Sequence, residues 1–204
     1  MFGYSLIPLW VIYIFNYIKY LYLYKNIYIS PKAFLINCQL WKNVMICGGN
    51  RLENCNIGDY TYISWSEAWW IFGRYKNVTI WKFCSIAHGV EFINNSHYAD
   101  RISVYPFFSL PSSPFYKKND TSDIYEMNYV VGNDVWIWTW AKFIGNLKIW
   151  DGVIIGAGAL VTKDVPSYSV VVWNPAKIIK VRDIVKYHKW WDLDLDQILK
   201  LHKF

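Results

Sequence analysis

Apolar residues recur every six positions through the second half of the chain. Val131, Ile137, Phe143, Ile149, Ile155 and Val161 each open a hexad, and four residues later stand Val135, Ala141, Leu147, Val153, Ala159 and Val165. A period of six fits neither a helix nor an ordinary alternating strand. It predicts an all-β solenoid whose triangular coils present the same faces again and again. The same phase appears earlier in Ile80, Ile86 and Phe92, with Cys84 and Val90 as partners. It returns more raggedly in Leu40 with Val44, in Ile46, and in Ile57 with Thr61 and Ile63. No single coil can shield its branched residues, so coils stack and share one core.

The places where the phase fails divide the chain. Residues 1–25 are apolar and aromatic, with Leu6 to Ile18 interrupted only by Asn16, and read as an N-terminal aromatic helix. Met1 to Ser5 carries no charge, which argues against a signal peptide, and the apolar run falls short of the ~20 residues a bilayer requires. Two readings of this helix lead: a cap on the open end of the solenoid, or an interfacial helix making peripheral membrane contact near lipid-linked substrates. A true span, with Tyr20 to Leu23 extending the run past Lys19, is the third. The β-helix domain covers 26–175 and is disturbed around 64–75. Its long loop, 94–128, abandons the hexads and carries Pro106, Pro111, Ser112, Ser113 and Pro114. A loop of that length inside a regular repeat is usually functional. The coils stop near Pro166, and the apolar spacing of Ile178, Ile179, Ile184, Val185, Leu195, Ile198, Leu199 and Leu201 predicts a C-terminal helix within 176–204.

Composition narrows the class. A chain of 204 residues, 54% hydrophobic and 20% aromatic, forms one domain with ample core. The net charge of +6 favours an anionic ligand or a membrane surface. Nucleic acid is not expected, because the basic residues follow no recognition helix or aromatic platform. Cys38, Cys47, Cys55 and Cys84 form no C-x-x-C pair. They read as core thiols in a reducing compartment, which points to a cytoplasmic protein. Four scattered histidines supply no metal-ligand spacing, so no metal is expected.

Three stretches resemble one family. They are Ile80-Trp-Lys-Phe-Cys-Ser-Ile86; His97 followed by Ser103-Val-Tyr-Pro-Phe107; and Gly132-Asn-Asp-Val-Trp-Ile137 leading into Val161-Thr-Lys-Asp-Val-Pro166 and Asn174-Pro-Ala-Lys177. With Lys189-Trp-Trp-Asp192 they resemble the hexapeptide-repeat acyltransferases over roughly residues 27–192, most closely the xenobiotic (chloramphenicol and streptogramin) O-acetyltransferases and their polysaccharide-modifying relatives. The resemblance implies a left-handed parallel β-helix, a homotrimer, and acetyl-CoA as donor to a hydroxyl acceptor across subunit interfaces. It implies His97 as the catalytic base, since an imidazole can take a hydroxyl proton near neutral pH. It implies Trp136, Thr139, Ala157, Thr162, Lys163 and Lys180 as the cofactor channel, the two lysines meeting phosphates. His88, His188 and His202 read as structural or solvated.

One departure is systematic. The second position of a hexad is normally small, on the reading that glycine tolerates positive φ there. This chain keeps Gly58, Gly132 and Gly156 but has Trp41, Trp81, Trp138 and Trp150 in equivalent slots. Trp140 and Trp173 also stand where the family has Gly, and Trp65 and Trp70 are suspect. Of 13 Trp, at least six occupy Gly-type positions, which suggests glycine codons decoded as tryptophan. Trp136, Trp190 and Trp191 match the family as Trp.

The resulting expectation is acetyl-CoA-dependent O-acetylation of a sugar, polysaccharide precursor or antibiotic, by direct transfer, because no serine or cysteine sits in a nucleophile motif. A catalytically inactive hexapeptide scaffold is the alternative, and the matching His97 loop argues against it. A metal-dependent enzyme of carbonic-anhydrase type would require converging histidines that the chain does not supply.

Overall fold

A computed structural model describes residues 26–30, 32–65, 73–183 and 189–201. The stretch expected as an N-terminal helix lies outside them. Almost every strand is two to four residues long and lies in one of three sheets. The first, sheet A, contains Tyr28–Ile29, Met45–Ile46, Tyr62–Ile63, Ser85–Ile86, Trp136–Ile137, Ile154–Ile155 and Ser169–Val172. Sheet B contains Phe34–Ile36, Asn50–Glu53, Gly73–Lys76, Glu91–Ile93, Lys142–Ile144 and Leu160–Val161. Sheet C contains Gln39–Leu40, Asn56–Ile57, Val78–Ile80, Tyr129–Val131 and Leu147–Ile149. Read along the chain, the strands visit A, B and C in rotation, interrupted by one hairpin after Glu91–Ile93 and reduced to a single bridge, Ile149 with Val165, on the last visit to side C. Neighbours within each of these strand sets run parallel. That is a three-sided parallel coil.

The register explains the period. Val131 pairs with Ile149, Ile137 with Ile155 and Phe143 with Val161. Each hexad therefore makes one face, and three hexads make one turn. The leading residue of each hexad points inward and is buried, as are Val135, Ala141, Leu147, Val153, Ala159 and Val165. The ragged coils are those whose turns hold a different number of residues: Leu40 pairs with Ile57, one residue short of three hexads, and Ile57 pairs with Ile80. Cys38, Cys55 and Cys84 are buried free thiols, and Cys47 is a half-buried one.

Most described corners of the triangle contain a left-handed residue. After sheet B it is Asn37, Asn54, Asn77 or Gly145, and after sheet C it is Asn43, Tyr60, Phe83, Asp134, Gly152 or Tyr168. Asparagine is among the few side chains that enter this region readily.

The C-terminal expectation needs correction. Lys177–Val181 is a strand, antiparallel to Ser169–Val172 at the edge of sheet A, with all five residues exposed. Its β-branched Ile178, Ile179 and Val181 suit an edge strand, which the count of apolar positions did not separate from a helix. The described α-helix is Leu195–Leu201. It begins with a reciprocal cap: Gln197 N donates to Asp194 Oδ1 (2.8 Å), and Asp194 N donates to Gln197 Oε1 (3.0 Å). Ahead of it, the Trp190 ring packs on Phe83 at 4.7 Å, and Phe83 stacks on Tyr60 at 4.7 Å. Trp191 is buried. Arg182 Nη1 ties the tail to the coil by donating to the Gly152 carbonyl at 2.6 Å and meeting Asp134 Oδ2 at 3.3 Å.

Candidate active site

His97 ends the strand Asn95–His97, which leaves sheet B just after Glu91–Ile93 and pairs antiparallel with Ile124–Glu126. Its partner in register is Ile124, and its side chain is exposed. Between the two strands, residues 98–123 form the excursion. Its neck is closed by buried Asn94, whose Nδ2 donates to the Met127 carbonyl (2.6 Å) and the Lys76 carbonyl (3.2 Å), while Met127 N donates to Asn94 O (2.7 Å).

A ladder of asparagines leads to this hairpin. Asn37 Nδ2 donates to Asn54 Oδ1 (2.9 Å), Asn54 Nδ2 donates to Asn77 Oδ1 (3.1 Å), and Asn77 Nδ2 donates to Glu126 Oε2 (2.8 Å). Lys76 Nζ holds the other oxygen of Glu126 at 2.6 Å. Glu126 lies opposite Asn95, two residues from His97, so the coil's corner column braces the strand that carries the imidazole. Sequence reasoning missed this brace. The signal was the recurrence of Asn at one corner phase, coil after coil, ending at a carboxylate.

The Lys76 and Asn77 hydrogen bonds hold the Glu126 carboxyl below the usual carboxylate range. A carboxyl depressed in the folded state contributes stability that is present above its unfolded pKa and lost as pH falls through the folded value. Protection of the 95–97 amides against hydrogen exchange should therefore decline on acidification before that of sheet A. In Glu126→Gln this difference should vanish; an unchanged pH dependence would show that Glu126 is not the brace.

Inside the loop, Asp123 Oδ2 accepts hydrogen bonds from Phe108 N (2.6 Å) and Ser109 N (3.4 Å). The loop nevertheless leaves Ile102, Val104, Tyr105, Phe107, Phe115 and Tyr116 open to solvent.

The six expected cofactor residues do not converge. Trp136 faces outward from sheet A, and Thr139 and Ala157 lie near the corner between sheets A and B, where Gly158 N donates to Thr139 O (2.9 Å). Thr162 and Lys163 follow Leu160–Val161, at the opposite edge of sheet B. Lys180 sits on the antiparallel edge strand opposite Val170. The His97 hairpin leaves by the same edge of sheet B as Thr162 and Lys163. It is therefore separated from Thr139 and Ala157 by the width of that face, roughly 17 Å for five residues at about 3.3 Å each. The His88 main-chain carbonyl accepts from Trp140 N at 3.2 Å; His188 and His202 lie outside the described residues. Among the described residues, no group of three His, Cys, Asp or Glu could hold a metal ion, and no helix is long and apolar enough to cross a membrane.

Residues 128–163 match the family model described as bacterial transferase hexapeptide (six repeats). The chain is 38% identical over 123 residues to a chloramphenicol acetyltransferase of Agrobacterium fabrum, covering 56% of this chain and 59% of that protein. It is 36% identical over 138 residues to a probable macrolide acetyltransferase of Lysinibacillus sphaericus, covering 58% of this chain and 71% of that protein. The chain thus belongs to the hexapeptide-repeat acetyltransferase family. It spans about three fifths of the length of the chloramphenicol acetyltransferases it matches, from 59% to 64%. Among solved structures, the fold resembles an N-acyltransferase of Bacillus cereus in complex with dTDP and coenzyme A. That likeness has a TM-score of 0.58 at 19% identity and covers 86% of this chain and 88% of the other. It also resembles a GDP-perosamine N-acetyl transferase of Caulobacter crescentus in complex with CoA and GDP-perosamine, with a TM-score of 0.54, 17% identity, and coverage of 76% and 56%.

Proposed function

We propose that this chain transfers an acetyl group from acetyl-CoA to a hydroxyl group of a sugar, a polysaccharide precursor or an antibiotic. The observation that carries the reading is the exposed His97 imidazole on a strand braced at its neck, within the one long excursion of the described coil. As the acceptor oxygen attacks the thioester carbonyl carbon, its proton passes to His97. The carbon–sulfur bond then breaks, and the imidazolium returns the proton to the departing thiolate. The products are an acetyl ester and free CoA, with no acyl-enzyme between. Trp136, Thr139, Ala157 and Thr162 would line the donor's arm, and Lys163 and Lys180 would meet its phosphates. The winding proposed is left-handed, in keeping with the resemblance to the hexapeptide family.

Two features favour a homotrimer. Thr139 and Ala157 lie across sheet B from His97, and a neighbouring copy would bring such a donor corner to the imidazole. The loop's exposed apolar side chains supply a surface for that neighbour. Light scattering at micromolar concentration should report three copies; a monomer would remove the site built across copies.

The test of the function is CoA release from acetyl-CoA with a panel of hydroxyl acceptors, including chloramphenicol, a macrolide and nucleotide sugars, together with calorimetric titration of the donor. Turnover with at least one acceptor, surviving a chelator, is the expected result. An absence of donor binding and of release with every acceptor would refute the reading. Lys163→Ala and Lys180→Ala should each weaken acetyl-CoA binding by about 1.5–3 kcal/mol, the worth of a hydrogen bond to a charged group. Unchanged affinity would reassign the phosphate site.

A further inference from the structure

Equivalent corner positions in this coil select the same kind of residue, and a few tryptophans break the selection. Two residues ahead of the register Arg51–Arg74–Glu91–Lys142–Leu160 in sheet B, the described residues are Gly49, Gly89, Trp140 and Gly158. All four are left-handed, with φ of 76°, 70°, 65° and 66°. From the second coil onward this corner uses glycine wherever it is described, except at 140; in the first coil, ahead of Phe34, the position holds Lys32. Glycine enters that region without the Cβ clash that other residues suffer.

The residue directly after each sheet A strand donates its N–H to the last core position of the next coil's strand. This column reads Ser30, Cys47, Ser64, Ala87, Trp138 and Gly156, with N···O distances from 2.7 to 2.9 Å. Five are small and the sixth is an indole. After sheet C the column reads Trp41, Gly58, Trp81, Gly132 and Trp150. A Cβ on Gly58 would lie 2.7 Å from the Trp81 backbone carbon, and one on Gly132 would lie 2.7 Å from the Asp151 backbone nitrogen. None of these three glycine-type positions, 58, 132 and 156, has positive φ. Smallness there serves close approach between coils, which corrects the expectation from sequence that φ was the reason. Trp173, at the turn into the edge strand, is left-handed again, with φ of 82°.

The six indoles at 41, 81, 138, 140, 150 and 173 all stand 42–66% exposed. Trp136 is equally exposed, but several other aromatic residues of the fold are packed. Tyr60 and Phe83 are also left-handed, yet they stack on each other, and Phe83 packs against Trp190. Trp191 is buried. Among the described residues Trp140 and Trp173 make no ring stack, and Trp138 stacks only on its neighbour Trp136.

We propose that the functional polypeptide carries glycine at positions 41, 81, 138, 140, 150 and 173. The chemical route is a codon such as UGA, which one genetic code reads as tryptophan and another as glycine. Glycine at 138 and 140 would leave Thr139 flanked by bare backbone. Together with Gly156, Ala157 and Gly158 it would then form a continuous small-residue corner, open to a thioester arm. That last consequence rests on the donor site proposed above; the glycine assignment does not.

Peptide mass spectrometry of the protein purified from its native source decides the matter. Glycine-containing peptides spanning 138–140 and the other four positions are expected, and tryptophan at 138 and 140 would overturn the proposal. A recombinant pair gives a second reading: Trp140→Gly should raise Tm by about 2–8 °C, because relief of a left-handed non-glycine residue acts on a chain of this size. A lower Tm would contradict the glycine assignment at 140. The donor-site reading is tested separately, because a glycine-bearing protein that fails to bind acetyl-CoA would sink the donor site and leave the glycine assignment standing.

Discussion

Replacing His97 with alanine should lower kcat by about 10²–10⁴-fold, the usual worth of the positioned general base proposed for it, while acetyl-CoA affinity should stay close to that of the parent. The separation follows from geometry. The imidazole stands on a hairpin at one edge of sheet B, whereas Thr139 and Ala157 lie across the face at the other edge. Deleting the ring should therefore remove the proposed partner for the acceptor's hydroxyl proton without touching the proposed donor corner in the same copy. Structure should survive as well, since His97 is exposed and the neck is held by Asn94, Asn77 and Glu126. The measurement belongs on the form with glycine at 138, 140 and 173, so that an obstructed channel does not mask the chemistry. If that form is active and His97→Ala keeps more than about a tenth of its rate, beyond the span of a general base, another group takes the proton.

The fold was legible because a solenoid writes one face per hexad. Val131, Ile137 and Phe143 belong to three different sheets, yet each is an inward residue of its strand at the same hexad position, so the period survives every change of face. Lys177–Val181 was misread for the complementary reason. All five residues are exposed, so no burial pattern accompanies the apolar letters, and Ile178 and Ile179 look alike on a helix or an edge strand. At the candidate site, the motif around His97 pointed to the hairpin, but the brace behind it was invisible. Asn37, Asn54, Asn77 and Glu126 meet only once the coils are stacked in register. The donor residues were collected by motif position, and motif position says nothing about which corner a residue occupies; hence Thr139 and Lys163 fall at different corners.

Phe143→Ala should be the most destabilising of the single substitutions considered, costing about 3–5 kcal/mol against a total stability on the order of 5–15 kcal/mol. Phe143 is fully buried in sheet B, and its ring stacks on Phe92 at 4.4 Å with only 9° between planes. Phe92 in turn meets Tyr129 edge-on at 5.1 Å and Tyr75 at 5.5 Å. The Tyr129 hydroxyl lies within hydrogen-bonding reach of the carbonyls of Ile93, just before the excursion leaves the coil, and of Phe143 in the next coil. Removing the Phe143 ring opens a cavity among three aromatic side chains that neighbouring strands hold apart, so the site cannot collapse to fill it. Phe143→Leu keeps most of the volume and should cost less than about 2 kcal/mol. Because the same cluster seats the neck of the hairpin, the alanine variant should also lose kcat at temperatures well below its melting point, whereas Phe143→Leu should keep it. Urea unfolding checks the first claim, and a cost under about 1 kcal/mol would mean the coil repacks here. Parallel turnover measurements check the second: a fully active alanine variant would separate the aromatic core from the positioning of His97.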